Sequence, residues 1–152
     1  DDSRFIKEQK RKIKEHKLDA FFEILPGFED EAMHDFFKQV SMISVPVRRG
    51  EAFGMYLLES MASGVPVIQP ALGAFSEIIR LAGGGVTYEP NTPGKLSETW
   101  AGLLNQPEKL EELSIQGYQG TKNSFNIHNH AAEIIGLFEK LQEQNQHDKS
   151  TV

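Results

Sequence analysis

The chain has 152 residues and a formal net charge of −6, with 39% hydrophobic and 25% charged residues and no cysteine. A length near ~150 residues predicts one domain, able to bury roughly 68–70% of its unfolded surface without a disulfide or metal staple. The absence of cysteine excludes a disulfide framework, a zinc ribbon and a thiol nucleophile. No apolar run reaches the about 20 residues that span a bilayer, and the charged N-terminus lacks a signal peptide's apolar core, so a cytoplasmic globular domain is expected.

Residues 1–18 hold seven Lys/Arg and four Asp/Glu, whereas the rest of the chain holds nine and eighteen. Arg4 through Lys17 reads as an exposed helix within 1–18. Glu8 and Lys12 stand at the favourable i,i+4 spacing, with Phe5, Ile6, Ile13 and Leu18 as a sparse apolar side. A nucleic-acid footprint is the weaker reading, because the acidic bulk would repel polyanions, and no nucleic acid is expected as a partner.

Farther along, short apolar runs alternate with helical patterns. Ala20 to Leu25, closed by Pro26-Gly27, reads as a buried strand and turn. Glu31 to Val40 carries a helical stripe of Ala32, Met33, Phe36, Phe37 and Val40. Met42 to Val47 predicts a second strand, followed by the polar turn Arg48-Arg49-Gly50. Gly54 to Ser63 predicts a helix, with Gly64 suited to the position just past its end and Pro66 as a stop. Val65 to Gln69 is a third strand, Ala74 to Ala82 a helix, and Val86 to Tyr88 a fourth strand. Pro93 to Leu104, Glu108 to Gly117 and Ile127 to about Gln142 read as helices. Residues 144–152 form a polar tail expected to be disordered.

Four strands separated by crossovers too long for hairpins imply βαβ units, hence an α/β fold with a Rossmann-like parallel sheet flanked by helices. Ligands in such sheets bind beyond the carboxyl ends of the strands. That singles out the loops at 26–30, 46–54, 70–75 and 89–93. The chain opens directly on a helix and four strands make a small sheet, so it reads as part of a larger protein.

Several tempting motifs fail. Gly83-Gly84-Gly85 precedes a strand instead of following one, so it is no dinucleotide fingerprint. Gly94-Lys95 lacks the glycine and hydroxyl of a P-loop. His128 and His130 point to different sides of a helix and have no acidic or thiol companions, so no metal is expected there. In Glu29-Asp30-Glu31, Asp30 is suited to cap the next helix and Glu31 to answer its dipole.

The informative stretch runs from Pro46 to Val67. Glu59 is flanked by Met55, Tyr56, Leu57, Leu58, Met61 and Ala62, so its helix is expected to be buried. None of its neighbours at three or four residues is basic. A buried carboxylate needs something bonded to it. Either a distant Arg or Lys supplies that partner, or the position is open to a polyol such as ribose. Glu51 lies in the loop ahead of the helix, whose first N–H groups, at Phe53, Gly54 and Met55, make an anion site. Glu59 is five residues beyond Gly54, about 7.5 Å along the axis, a spacing that fits a diphosphate at the helix end and its ribose at Glu59. Glu51 would then face whatever is attached to the phosphates.

These residues, Glu51-Ala-Phe-Gly-Met-Tyr-Leu-Leu-Glu59 followed by Ser-Met-Ala-Ser-Gly-Val-Pro-Val67, closely resemble the E-x7-E region of retaining glycosyltransferases of the two-Rossmann-domain (GT-B) architecture, in particular family 4. Gly73-Ala-Phe-Ser-Glu77, Gly83 to Pro90 and Ser124-Phe125-Asn126 resemble later parts of the same domain, so the likeness covers roughly Ala20 to Leu141. The resemblance implies the truncated C-terminal half of such an enzyme, a single partial domain over 1–152, that binds a nucleotide-diphosphate sugar. Glu51 would be the catalytic acid beside the donor sugar. Phe53, Gly54 and Met55 would offer amides to the phosphates, Glu59 would hold the ribose, and Phe28 would lie beside the base. No cofactor and no metal is implied. The acceptor, a carbohydrate or a lipid-linked one, would belong to a missing N-terminal domain, and the fragment alone is expected to be inactive.

Two departures stand out. Ala52 replaces the commoner glycine at the phosphate turn, and the family's upstream basic residues have no counterpart here; Arg48 and Arg49 are expected to face solvent. The rival readings are a nucleotide-sugar epimerase of the same architecture and a non-catalytic Rossmann-like binding module.

Overall fold

The structure, a computed structural model, describes residues 3–25 and 30–150, without the side chains of 30–32 and 145–150. The chain divides into two compact units, Asp1–Met33 and His34–Val152. Phe28 and Glu29 fall outside the described residues, as do the side chains of Asp30 and Glu31.

In the first unit, α1 (Ser3–Glu15) buries no residue. Arg11 pairs with Glu8 at 2.8 Å and also with Glu15, the i,i+3 and i,i+4 contacts of a solvated helix. The strand expected over Ala20 to Leu25 is corrected. Asp19–Phe21 forms a single 3-10 turn, and the extended residues after it have no ladder partner among the described residues. An apolar run makes a buried strand only where neighbours pair its backbone and cover its faces. Here Phe21 is 80% and Phe22 56% exposed.

The remaining elements are α2 (Asp30–Phe37), α3 (Met55–Ala62), β1 (Val67–Pro70), α4 (Phe75–Ala82), β2 (Gly85–Tyr88), α5 (Pro93–Leu104), α6 (Pro107–Ser124) and α7 (Ile127–Ser150). β1 and β2 are parallel, with Val67 opposite Gly85 and Pro70 opposite Tyr88. The strand expected over Met42 to Val47 shrinks to one parallel bridge, Ile43 to Val67. Ile43 donates to the Pro66 carbonyl and accepts from the Ile68 N–H, each at 2.9 Å. Beyond it the ladder has no donor to continue. The Val45 N–H is taken by the side-chain oxygen of Gln69 at 3.1 Å, and Pro46 has no N–H.

All four residues of β1 are buried, as a parallel strand covered on both faces requires. Alternation sends Val67 into a cluster with Leu57, Met61, Phe75 and Ile78 from α3 and α4. Ile68 points the other way, to Tyr88, Leu103 and Leu113. Helices thus pack on both sides of the sheet, as the alternation of runs predicts. The helix starts follow local chemistry. The Thr92 hydroxyl accepts the Lys95 N–H at 3.3 Å with Pro93 next to it, and the Asn126 side chain accepts the His128 N–H at 2.8 Å.

Candidate active site

Three loops leave the carboxyl ends of the parallel strands: 44–54 after the Ile43 bridge, 71–74 after β1, and 89–92 after β2. The first two touch backbone to backbone. The Ala74 N–H donates to the Glu51 carbonyl at 3.3 Å. A Cβ on Gly73, whose φ is +53°, would fall 2.6 Å from that carbonyl oxygen, and one on Gly50 would fall 2.6 Å from the Gly73 nitrogen. Any side chain at either place would push the loops apart. Asn91 ties in the third loop, its side-chain amide donating to the Val47 carbonyl at 2.8 Å while its oxygen accepts from the Tyr88 hydroxyl at 3.3 Å.

Gly54 opens α3 in the left-handed region, at φ 88° and ψ 67°, with no side chain capping the helix. The N–H groups of Phe53, Gly54, Met55 and Tyr56 therefore have no backbone acceptor among the described residues. Those are the orphan donors of a helix start, which attract anions. The Glu51 carboxylate reaches over this end: a Cβ on Gly54 would meet its Oε2 at 3.2 Å. Phe53 packs its ring edge-on against Phe125, at 6.5 Å between centroids and 76° between planes, which anchors the loop. Ala52 and Met55 are exposed.

Glu59 lies on α3, one and a half turns past the opening. It is half-buried instead of buried, because the helix turns only Leu57, Leu58, Ser60 and Met61 fully inward. Among the described residues its carboxylate has no ion pair and no hydrogen-bond partner. Arg48 and Arg49 are exposed, as expected, and neither forms an ion pair there. Glu51, Ala52, Phe53, Gly54, Met55 and Glu59 are thus gathered along one loop and helix.

Sequence reasoning missed two side chains that tie these loops and α3 together, Gln69 and Asn91. Gln69, in β1, is fully buried and donates from Nε2 to the Tyr56 hydroxyl at 3.1 Å. Burial, reinforced by the charge of Glu51 and hydrogen bonding to it, pushes the Tyr56 phenol up to about 12. A glutamine inside an otherwise apolar strand was the available signal, since a buried amide needs partners. Asn91 carried no such signal. Next to these loops lies a cavity of about 420 Å3 lined by Val47, Arg48, Tyr88, Asn91 and Leu96. Among the described residues no three His, Cys, Asp or Glu side chains gather to hold a metal, and no helix is long and apolar enough to cross a membrane.

A sequence profile described as "Glycosyl transferases group 1" matches residues 5–120. The lipopolysaccharide core biosynthesis mannosyltransferase LpsB of Rhizobium meliloti is 30% identical over 111 residues, which are 70% of this chain and 31% of LpsB. The C-terminal domain of the glycosyl transferase group 1 family protein LpcC from Francisella tularensis superposes with a TM-score of 0.67 at 24% identity, covering 83% of this chain and 65% of that one. Anabaena HepE, solved with UDP and glucose, superposes with a TM-score of 0.76 at 17% identity, covering 90% of this chain and 36% of HepE. The superpositions establish the fold, that of the C-terminal half of the GT-B architecture. The chain spans well under half the length of LpsB and of HepE.

Proposed function

The chain belongs to the glycosyl transferases group 1 family, and from that premise we propose that it is the donor-binding half of a retaining, family 4 enzyme. That enzyme moves a hexosyl unit from a nucleotide-diphosphate sugar to a carbohydrate or lipid-linked acceptor held by another domain. The observation that carries the reading is the set of orphan amides at the start of α3, with the Glu51 carboxylate over them and an unpartnered Glu59 farther along the same helix. The amides of Phe53, Gly54 and Met55 take the diphosphate, stabilising the charge that grows on the leaving phosphate as the anomeric C–O bond breaks. Glu59 accepts hydrogen bonds from two ribose hydroxyls. Glu51 faces the donor sugar, where a carboxylate bonds hydroxyls and stabilises the oxocarbenium-like transition state. Phe28, outside the described residues, is assigned to the base. The UDP and glucose bound to HepE, a protein of the same fold, support a nucleotide-sugar donor. The chain alone, without the acceptor domain, transfers nothing.

Calorimetry with UDP, GDP and ADP tests the assignment. One of them is expected to bind, and Glu59→Ala to weaken it about tenfold or more, the worth of hydrogen bonds to a charged group, with the circular dichroism unchanged. Failure of all three nucleotides to bind, or indifference to Glu59→Ala, overturns it.

A further inference from the structure

Alternation along β1 sends Gln69 to the same face of the sheet as Val67, the face covered by α3. At the carboxyl end of the strand a fully buried amide thus takes the place of an apolar side chain. An apolar residue would fill that space without needing partners, so what the amide adds is direction. The Val45 N–H can only donate, so the Gln69 atom 3.1 Å from it is the amide oxygen. The Gln69 nitrogen then faces α3 and donates to the Tyr56 hydroxyl at 3.1 Å. Val45 is where the chain leaves the sheet to become the Glu51 loop, and Tyr56 lies in the first turn of the helix that this loop opens. One side chain therefore grips the loop at both ends. Two other bonds hold its middle, from Ala74 to the Glu51 carbonyl and from Asn91 to the Val47 carbonyl, but neither reaches α3.

We infer that Gln69 is a positioning residue for the donor site: its buried amide clamps Val45 to Tyr56 and so pre-sets the amides of Phe53, Gly54 and Met55 for a diphosphate. The inference rests on the donor-site reading above. Orphan amides hold an anion well only if they already point together, because ordering a loop during binding takes away affinity. Gly54 makes such ordering a real demand here, since no side chain caps α3 and the left-handed turn at its start has only backbone to define it. The clamp meets that demand from beneath the site. It touches neither the phosphates nor the sugar, and it brings no charge that would compete with them. Its own place is fixed, because Gln69 is completely buried in a strand paired to β2, with its amide bonded on both sides.

The test measures binding of UDP, GDP and ADP to the 152-residue chain by calorimetry. Gln69→Met keeps the length of the side chain and removes both bonds, whereas Tyr56→Phe keeps the ring and removes only the hydroxyl. Each is expected to weaken the nucleotide that binds about tenfold. The double variant should be no weaker than either single one, because losing one end already releases the clamp. Ser60→Ala is the control for general destabilisation. It removes an equally buried hydrogen bond, to the Val65 carbonyl beyond the far end of α3, and should lower stability without changing affinity. Unchanged affinity in Gln69→Met, or additive losses in the double variant, overturns the inference and leaves the donor site standing. Should Gln69→Met not fold, unchanged affinity in Tyr56→Phe overturns it alone. If the unmodified chain binds none of the three nucleotides, the donor-site reading fails instead, and amide hydrogen exchange decides the clamp without any ligand. Tyr56→Phe is then expected to speed exchange over residues 45–56 while residues 75–88 keep their protection. A uniform rise over both stretches, or no rise in the first, refutes the clamp.

Discussion

Replacing Gly73 by alanine puts one methyl group where the loop carrying Glu51 meets the loop after β1. The new Cβ would stand 2.6 Å from the Glu51 carbonyl oxygen and 3.1 Å from its nitrogen, whereas ordinary contact begins at 3.4 Å. The shorter gap must therefore open by 3.4 − 2.6 = 0.8 Å. The φ of +53° adds a second cost, since a side chain there crowds its own backbone by about 1–2 kcal/mol. Overpacking contributes about 1–3 kcal/mol more, giving a loss of about 2–5 kcal/mol. At a urea slope of about 1–3 kcal/mol/M, that loss lowers the unfolding midpoint by about 0.7 M or more. The control is Gly102→Ala in the interior of α5, where nothing lies within 4 Å of the added methyl. There the change should raise stability by about 1 kcal/mol through helix propensity alone. Urea unfolding followed by circular dichroism reads both variants. If Gly73→Ala is as stable as the unmodified chain, the close contact of the two loops is not a feature of the folded protein, and the account of how Glu51 is held fails with it.

Tyr56 links the site to alkaline pH. Its folded pKa of about 12 exceeds the ordinary value of 10, so its contribution to stability is complete below pH 10 and is lost as pH rises through about 12. The stability difference between the chain and Tyr56→Phe should shrink across that window, and a difference independent of pH refutes it. Ser60→Ala removes a fully buried hydroxyl that donates to the Val65 carbonyl at 2.9 Å, and should cost about 1–3 kcal/mol in chemical denaturation. Thr92→Ala should cost about 1 kcal/mol by removing the cap of α5, and Thr92→Ser should restore most of it.

The parts of this fold written locally could be read from the residues. α5 begins at Pro93 and ends at Leu104 as expected, because Thr92-Pro93 is a helix start whatever surrounds it. Glu51, Gly54 and Glu59 fall within nine residues, so one loop and the helix it opens carry all three whatever the rest of the chain does. α6 shows the limit. Gly117 reads as a stop, yet the helix continues to Ser124. A Cβ on Gly117 would sit 2.8 Å from the Gly84 Cα, and one on Gly120 would run into the Ala82 backbone. Both glycines let the helix lie against the turn between α4 and β2, so their role comes from packing and overrides their low propensity.

What the residues could not reveal is carried by contacts between distant segments: Gly73 on Glu51, Gln69 on Tyr56, Asn91 on Val47. Each depends on the register of parallel strands, which no local pattern specifies. Gln69 makes the point physically, because one side chain has two effects. By accepting the Val45 N–H it substitutes for a ladder bond, and so ends the strand expected over Met42 to Val47 after a single bridge. That early ending frees the chain from Ser44 onward to become the loop that carries Glu51 over α3. Its other end then donates to the Tyr56 hydroxyl on α3. A hydrophobic residue at position 69 would suit a buried strand better by propensity alone. It would also let the ladder continue toward Val45 and leave the Tyr56 hydroxyl without its donor, so the polar residue in the core and the acid at the surface are best understood as one arrangement.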